Sequence, residues 1–447
     1  MQETSLAPAR PRPSLTVTDA VALVVGMVVG VGIFRTPSLV AANAGSETTF
    51  LALWLAGGAV SLIGALCYAE LASRYPDAGG EYHFLDRAFG PATGFLFAWA
   101  RMAVIQTGAI AAVAFVLGDH AAGIAPIGPF GPAIYAALAV VVLTGLNISG
   151  VRHSKRAQNL LTLTVAGVLV AVSVAALMVG PAAPAAVAPA PSGTVTVAGL
   201  AMIFILLSYG GWNEAAYLSA ELGDGRRNMI RVLLIGIGTI TTLYLLFNGA
   251  LIAVLGLEAM RGSKAVAVDL MGVLLGDWGA LALGLVIIIA ALSTLNATIF
   301  TGARTNYALG RDFPALGYLG RWDGRTMTPV GALVVQGAIA LSLVFLGAVT
   351  RGGFTTMVEF TAPVFWGFLF LIGLTVMVLR RRQGAPEGGF RVPLYPLTPI
   401  AFCATSLFML YSSLAYTGIG AVAGVGVLMA GVPMLIWARP SRVTPAP

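Results

Sequence analysis

Long apolar segments recur along the whole chain, and their length restricts the fold more than any other feature. An α-helix needs about 20 mostly apolar residues to cross a bilayer. The segments that meet this length are 17–41, 48–73, 91–118, 129–149, 157–180, 195–220, 230–256, 276–304, 329–349, 355–380, 394–417 and 419–438. Only 10% of residues are charged, whereas a soluble domain carries about 25%. The sequence therefore predicts an all-α membrane protein with 12 transmembrane helices.

The basic residues fall mainly on one side of this predicted topology. An even number of spans places both termini on the same side, and basic loops stay in the cytoplasm. With a cytoplasmic N-terminus, 20 of the 25 basic residues lie in cytoplasmic segments. Arg261, Lys264 and Arg351 lie in extracellular segments, and Arg35 and Arg101 lie within spans. Topology thus explains the basic charge, and nucleic-acid binding is not needed to account for it. We expect a multi-pass protein of the cell membrane with both termini cytoplasmic.

Connecting segments divide the predicted helices into groups. Residues 181–194 are too rich in proline to be helical and are expected to be an external Ala/Pro linker. Residues 75–90 are expected to form an amphipathic helix on the membrane surface. The remaining units are the cytoplasmic N-tail 1–16, a five-helix repeat 17–180, a second five-helix repeat 195–380, helices 11 and 12 in 394–438, and the cytoplasmic C-tail 439–447.

Two of the predicted helices carry glycines near their middle. The first contains "VVGVGIFRTP" (28–37), and the sixth contains "SYGGWNE" (208–214). Small residues also allow close helix packing. Interruptions at matching positions of two halves, however, are typical of a secondary transporter built as an inverted repeat. The sequence therefore predicts a five-plus-five inverted repeat in which helices 1 and 6 are broken.

A break in the middle of a helix supplies backbone groups for binding. Unwinding frees N–H groups at the start of one half and carbonyl groups at the end of the other. The N–H end suits a carboxylate, and the carbonyl end suits an ammonium group or a cation. Glycine is needed where the ligand must approach the main chain closely. Two crossed breaks can therefore hold the backbone of a zwitterionic amino acid.

Several longer motifs resemble one known family. They are "GVGIFRTP" (30–37), "YAELASRYPDAGGEYHFL" (68–85), "SYGGWNEAAYLSAELGDGRRN" (208–228), "LNATIFTGARTNYALGRDFP" (295–314) and "RVPLYPLTP" (391–399). From about residue 17 to 400 the chain resembles the amino acid–polyamine–organocation superfamily and, within it, the L-type amino acid transporter-like branch. The resemblance implies a five-plus-five inverted repeat with two extra helices, working by alternating access. Gly225 departs from the pattern, since a proline is usual there.

The resemblance also implies a substrate site. The backbone N–H groups of Val31, Gly32 and Ile33 would bind the substrate carboxylate. Asn213 and Glu214 would line the side-chain end of the pocket. Carbonyl groups would bind the substrate amine, and the residues that carry or adjoin them are Met27, Gly30, Leu207, Ser208 and Gly210.

The sequence leaves the coupling ion open. In many members of the resembled family a helix-five lysine takes the place of a sodium ion, and the corresponding position here is Val165. Either a sodium ion lies there, held by helix-one carbonyls with Ser293 and Thr294, or the site has no ion and the protein exchanges substrates. Proton coupling would require a carboxylate such as Glu214, since no histidine lies in the middle of a span. No cofactor or metal site is expected.

The leading hypothesis is a transporter of neutral L-amino acids, acting as an exchanger or as an ion-coupled symporter. Cationic amino acids or polyamines are the alternative substrates. An enzyme would need clustered His, Asp or Ser side chains, and the sequence contains no such cluster. The expected partners are the amino acid and the lipid bilayer, without nucleic acid and without an obligate protein partner.

Charged residues near or within the predicted spans need partners, because an unpaired charge in the bilayer is costly. Arg101 lies within the third span, and either Glu214 or Glu359 could pair with it. Glu70 and Glu221 lie at the cytoplasmic ends of the second and sixth spans, near Arg74 and Arg226, where we expect structural salt bridges or an inner gate.

Overall fold

The computed structural model describes residues 14–181, 195–263, 265–350, 353–385, 389–416 and 419–438, and these ranges are helical without a strand. The α-helices are α1 (Val17–Val28), α2 (Gly32–Ala41), α3 (Glu47–Arg74), α4 (Glu81–Phe89), α5 (Pro91–Ala100), α6 (Gln106–Ile124), α7 (Gly131–Ile148), α8 (Val151–Val179), α9 (Val195–Ser208), α10 (Gly225–Gly262), α11 (Val266–Leu275), α12 (Gly279–Asp312), α13 (Val330–Thr350), α14 (Gly353–Gln383), α15 (Leu397–Tyr416), α16 (Ile419–Met429) and α17 (Gly431–Ala438). Within the described ranges, ten helical stretches are long and apolar enough to cross a membrane, and the bent pair α1–α2 is an eleventh. An all-helical, multi-pass membrane protein is therefore confirmed.

The first predicted helix is broken where its glycines stand. Thr16 caps α1, since its hydroxyl accepts a hydrogen bond from the Asp19 N–H and the Asp19 carboxylate accepts one from the Thr16 N–H. α1 ends at Val28, and the chain resumes as α2 at Gly32 with a bend of 51° between the two helices. The predicted break in helix 1 is confirmed.

The sixth predicted helix also changes course at its glycines. α9 ends at Ser208, and residues 212–218 form a 3₁₀ helix. Between them Gly211 has a φ of 112°, a conformation that favours glycine. The turn lies where the sequence placed the second break.

Two connections differ from the sequence prediction. The third span continues to Ile124 and includes a π-helical turn at Arg101–Ile105. The predicted loop after the seventh span contains α11, which no span prediction included because its ten residues are too short to cross a bilayer. Residues 1–13, 182–194 and 439–447, which include most of both tails and of the Ala/Pro linker, lie outside the described residues.

The helix predicted for the membrane surface lies inside the bundle instead. Glu81, Tyr82, Phe84 and Leu85 of α4 are buried, and the helix packs against α5 and α14. An amphipathic pattern predicts which face is apolar, but it does not distinguish lipid from protein as the partner of that face. The predicted location was therefore wrong.

Buried ion pairs join segments that are far apart in sequence. Glu221 pairs with Arg304, with Oε2 and Nη2 separated by 2.9 Å. Glu70 pairs with Arg380, with Oε1 and Nε separated by 2.7 Å. The expected partner of Glu70 was wrong, because Arg74 donates to the backbone near Gly384. Proximity along the chain is thus a poor guide to pairing in this bundle.

Candidate functional site

A cavity of about 330 Å³ lies between the two breaks. This volume is at the lower end of the range for small-molecule sites. Of the ten residues predicted to contact the substrate, nine line the cavity: Met27, Gly30, Val31, Gly32, Leu207, Ser208, Gly210, Asn213 and Glu214. Ile33 does not line it, because its side chain is fully buried in the apolar core.

The two breaks approach each other closely. A Cβ atom on Gly32 would lie 2.9 Å from Ser208 Oγ and 3.3 Å from Ser208 Cα. A Cβ atom on Gly211 would lie 3.0 Å from the Cγ atom of Met27. The Ser208 hydroxyl donates to Thr36 Oγ1 at 2.7 Å and so links the end of α9 to α2. Glycine is required at this crossing because backbone meets backbone and side-chain atoms at contact distance.

The start of α2 presents free backbone donors. The N–H groups of Val31, Gly32 and Ile33 reach no acceptor in the part of the chain that the structure describes. Phe34 is the first residue of α2 whose N–H is bonded, to the Val31 carbonyl at 3.2 Å. Free N–H groups at a helix N-terminus form a site for an anion such as a carboxylate.

Carbonyl groups of both breaks converge on Tyr244 of α10. Its hydroxyl lies 2.9 Å from the carbonyl oxygen of Val28 and 2.9 Å from that of Ser208. The Thr294 hydroxyl donates to the Gly26 carbonyl at 3.1 Å. Helix C-terminal carbonyls carry partial negative charge and attract an ammonium group. No local motif points to Tyr244, because its contacts with both breaks depend on α10 lying beside them.

Glu214 connects the cavity wall to a buried charged cluster. Its Oε2 atom lies 2.5 Å from Arg101 Nη2, so of the two alternative partners for Arg101 the structure selects Glu214. A second carboxylate, Glu81, lies 3.8 Å from Arg101 Nη1. We call Glu81, Arg101 and Glu214 the charged triad. The Arg101 guanidinium also donates to Thr305 at 3.0 Å and lies over the Tyr217 ring.

The Glu81 carboxylate accepts hydrogen bonds from several neutral groups. The hydroxyls of Tyr68 and Tyr217 and the amide of Asn213 donate to its carboxylate. Burial raises the pKa of Glu81, although the nearby guanidinium and the tyrosine hydroxyls act in the opposite direction. Gly80 makes this packing feasible, since a Cβ atom there would lie 2.6 Å from the Tyr217 ring.

Comparison with known proteins decides the family. A family model described as amino acid permease matches residues 15–438. The chain belongs to the amino acid permease family. The resemblance found in the motifs is therefore confirmed, as is the expectation of a membrane transporter rather than an enzyme.

Several characterised proteins are similar to this permease. The b(0,+)-type amino acid transporter 1 of Mus musculus is 30% identical over 402 residues, which cover 88% of this chain and 80% of that protein. The Cystine/glutamate transporter of Homo sapiens is 27% identical over 449 residues, covering 96% and 86% of the two chains. The Large neutral amino acids transporter small subunit 2 of Mus musculus is 28% identical over 446 residues, covering 95% and 80%.

Two further walls of the permease cavity come from α6 and α14. Gln106 lines the cavity and donates to the Thr298 carbonyl at 2.7 Å. Thr361, Phe365 and Trp366 of α14 line it as well. No sequence motif points to these residues, because each is uncharged and none lies at a glycine break.

The hydroxyls predicted for an ion site are engaged with protein groups in the permease. Ser293 is fully buried, lies away from the cavity wall and accepts a hydrogen bond from Gln158 at 2.9 Å. Thr294 lines the cavity and donates to the Gly26 carbonyl. Val165 is buried in the apolar core. Neutral hydrogen-bonded side chains thus occupy the surroundings of Gly26, where a Cβ atom would lie 2.2 Å from Gln158 Nε2.

We expect Tyr244→Phe to lower both the stability of the permease and its affinity for substrate. The change removes the hydroxyl shared by the Val28 and Ser208 carbonyls, and a buried polar group without its partner costs about 1–3 kcal/mol. The melting temperature and the KM for uptake measure the two effects. Tyr135→Phe is the control, since its hydroxyl donates to Ala125 at an exposed site. Equal effects of the two changes would contradict the assignment.

Proposed function

We propose that this permease moves amino acids across the cell membrane by alternating access. The observation that carries the proposal is the set of free N–H groups at the start of α2, beside a cavity whose wall also contains the end of α9. The N–H groups fit the substrate carboxylate, and the carbonyl ends of α1 and α9 fit its ammonium group. Three relatives are named as transporters of amino acids or of cystine and glutamate, which supports amino acids as the substrate class of this permease.

We propose neutral L-amino acids as the principal substrates. Beyond the breaks the cavity wall is mainly apolar, with Ile105, Val113 and Trp366 among its residues. Glu214 is the one carboxylate among the described lining residues, and it is already paired with Arg101. A cationic substrate would compete with that guanidinium. The position of Glu214 on the cavity wall is nevertheless what favours the alternative, a cationic amino acid or a polyamine.

We infer a five-plus-five inverted repeat with twelve spans, of which α9 and the following 3₁₀ helix form the sixth. The break between α1 and α2 opens the first half of the chain, and the turn after α9 opens the second, as an inverted repeat requires. The charge distribution supports cytoplasmic termini, and we propose the plasma membrane as the location. The expectation that no protein partner is required stays a prediction.

Alternating access requires that one end of the bundle be closed while the other is open. We propose that the ion pairs Glu221–Arg304 and Glu70–Arg380 close the cytoplasmic end in the present state. Both pairs lie at the predicted cytoplasmic ends of spans. Glu221, Arg304 and Glu70 are buried, and Arg380 is partly buried. Their separation would open the cavity to the cytoplasm.

Uptake into proteoliposomes tests the proposed function. Labelled leucine, serine, lysine and putrescine would be offered to empty vesicles and to vesicles preloaded with the same compound. Uptake of leucine or serine in excess of the other two supports neutral amino acids, and the reverse order supports the cationic alternative. Uptake only into preloaded vesicles indicates an exchanger. If none of the four compounds enters either kind of vesicle, the proposed function is wrong.

We expect uptake to be unchanged when sodium is replaced by choline. Ser293 lies away from the cavity wall, and Glu214, the one carboxylate among the described lining residues, is already paired with Arg101. A sodium ion at Thr294 would therefore lose its water shell with only neutral oxygen atoms to replace it. Initial rates measured in the two salts at equal ionic strength check this. An uptake rate in choline several-fold below that in sodium would contradict this prediction and support a sodium site.

A further inference from the structure

The charged triad holds two carboxylates for one cation. Glu81 and Glu214 both lie within 4 Å of Arg101, and none of the three side chains is more than 10% exposed. With both carboxylates ionised, one negative charge is in excess in a region that water barely reaches. An uncompensated buried charge is costly. Glu221 and Arg304, which are also fully buried, are matched one to one.

The elements around Glu81 supply no second cation. Among the described residues, Arg101 is the only cation within 4 Å of Glu81. α5 carries no titratable side chain, and Arg382 of α14 donates to Ala88 at the far end of α4. His83, Asp86 and Arg87 of α4 point away from Glu81 by helical periodicity. The titratable groups that do face Glu81 are Tyr68 from α3, Arg101 from the π-helical turn, and Glu214 and Tyr217 from the 3₁₀ helix.

We propose that the charged triad binds one proton in each transport cycle, shared between Glu81 and Glu214. This proposal rests on the function proposed above. Glu214 lines the cavity, so a hydronium ion there can transfer its proton to the Glu214 carboxylate and leave as water. Protonation weakens the pair between Glu214 and Arg101. The Arg101 guanidinium, which lies 3.8 Å from Glu81, can then form a one-to-one ion pair with Glu81. The proton on Glu214 neutralises the excess negative charge.

The same short segment carries the substrate site and the triad. Asn213 and Glu214 follow the second break directly, and the Asn213 amide donates to Glu81 at 3.2 Å. A substrate amine bound at the break therefore lies next to the segment whose charge state changes. Substrate and proton accordingly bind to one state and are released together. An acidic exterior therefore accelerates uptake of a neutral amino acid.

The test compares the wild type with Glu81→Gln and Glu47→Gln in vesicles that contain a pH-sensitive dye. Counterflow of leucine, which needs no net proton movement, reports the transport function alone. We expect the wild type to acidify the lumen when leucine is added outside, and its uptake to fall several-fold as the external pH rises from 5.5 to 8, on the order of the change that a titrating group produces. Glu81→Gln keeps counterflow but shows neither acidification nor pH dependence. Glu47→Gln removes an exposed carboxylate at the start of α3 and keeps both.

Counterflow without acidification in the wild type would overturn the proton site and leave the transport function standing. Acidification by Glu81→Gln at the wild-type rate would also overturn it. Loss of counterflow in the wild type would instead reject the proposed function itself. If Glu81→Gln does not fold, Tyr68→Phe removes one donor to the ionised carboxylate, and the midpoint of the pH profile moves to higher pH by about half a unit or more. An unchanged midpoint contradicts the proposal.

Discussion

Gly32→Ala is expected to reduce uptake strongly while the protein still folds. The added methyl group would lie 2.9 Å from Ser208 Oγ and 3.3 Å from Ser208 Cα, at the point where the two breaks cross. Overpacking costs about 1–3 kcal/mol, which corresponds to roughly a 5- to 150-fold loss of affinity if it falls on substrate binding. The KM for uptake and the melting temperature separate a damaged site from a damaged fold.

Gly249→Ala provides the matched control for this change. Gly249 lies within α10, and no atom lies within 4 Å of a Cβ atom placed on it. We expect this variant to transport normally and to be slightly more stable, because alanine favours a helix over glycine by about 1 kcal/mol. Normal uptake by Gly32→Ala, with KM equal to that of the control, would show that the crossing does not shape the site.

Arg101→Gln is expected to destabilise the protein severely. The change leaves Glu81 and Glu214 buried without a cation, and removing one member of a buried ion pair costs about 3–5 kcal/mol. Arg311→Gln is the control, because Arg311 is 37% exposed and pairs with Asp77, and an exposed pair contributes at most about 1 kcal/mol. The melting temperatures of the two purified variants give the comparison.

A triple variant shows whether the stability lost in Arg101→Gln comes from unpaired charge. Arg101→Gln combined with Glu81→Gln and Glu214→Gln removes both unpaired carboxylates and should recover much of the lost melting temperature. If the triple variant is no more stable than Arg101→Gln, packing of the guanidinium over Tyr217 accounts for the loss, and the charge balance of the triad does not.

Much of the helical framework can be predicted from the sequence, because the length of an apolar segment depends on the bilayer and little on tertiary contacts. The break at Gly32 can also be predicted, because glycines interrupt the first and sixth spans at matching positions, whereas glycines in one span alone could serve close helix packing. For the same reason nine of the ten predicted substrate residues line one cavity. They lie within the two local motifs in which the breaks occur or directly before them.

The rest depends on which helices become neighbours. Tyr244, Gln106 and Thr361 are uncharged residues outside the two glycine breaks, and only the packed bundle brings them to the site. The location of Glu81 could not be predicted from the sequence either. Its helix has an amphipathic pattern that suits a membrane surface equally well, so nothing local reveals that Glu81 lies beside Arg101 in the interior.

The most direct test of the substrate site measures how well three compounds inhibit uptake of labelled leucine. They are leucine, leucine methyl ester and 4-methylpentanoic acid, and all three have the same side chain. The ester lacks the carboxylate charge, and the acid lacks the amine. Hydrogen bonds to charged groups contribute about 1.5–3 kcal/mol, so we expect the ester and the acid each to inhibit at least about tenfold more weakly than leucine. Inhibition by all three at similar concentrations would show that the free N–H groups and carbonyls of the two breaks do not hold the amino acid backbone.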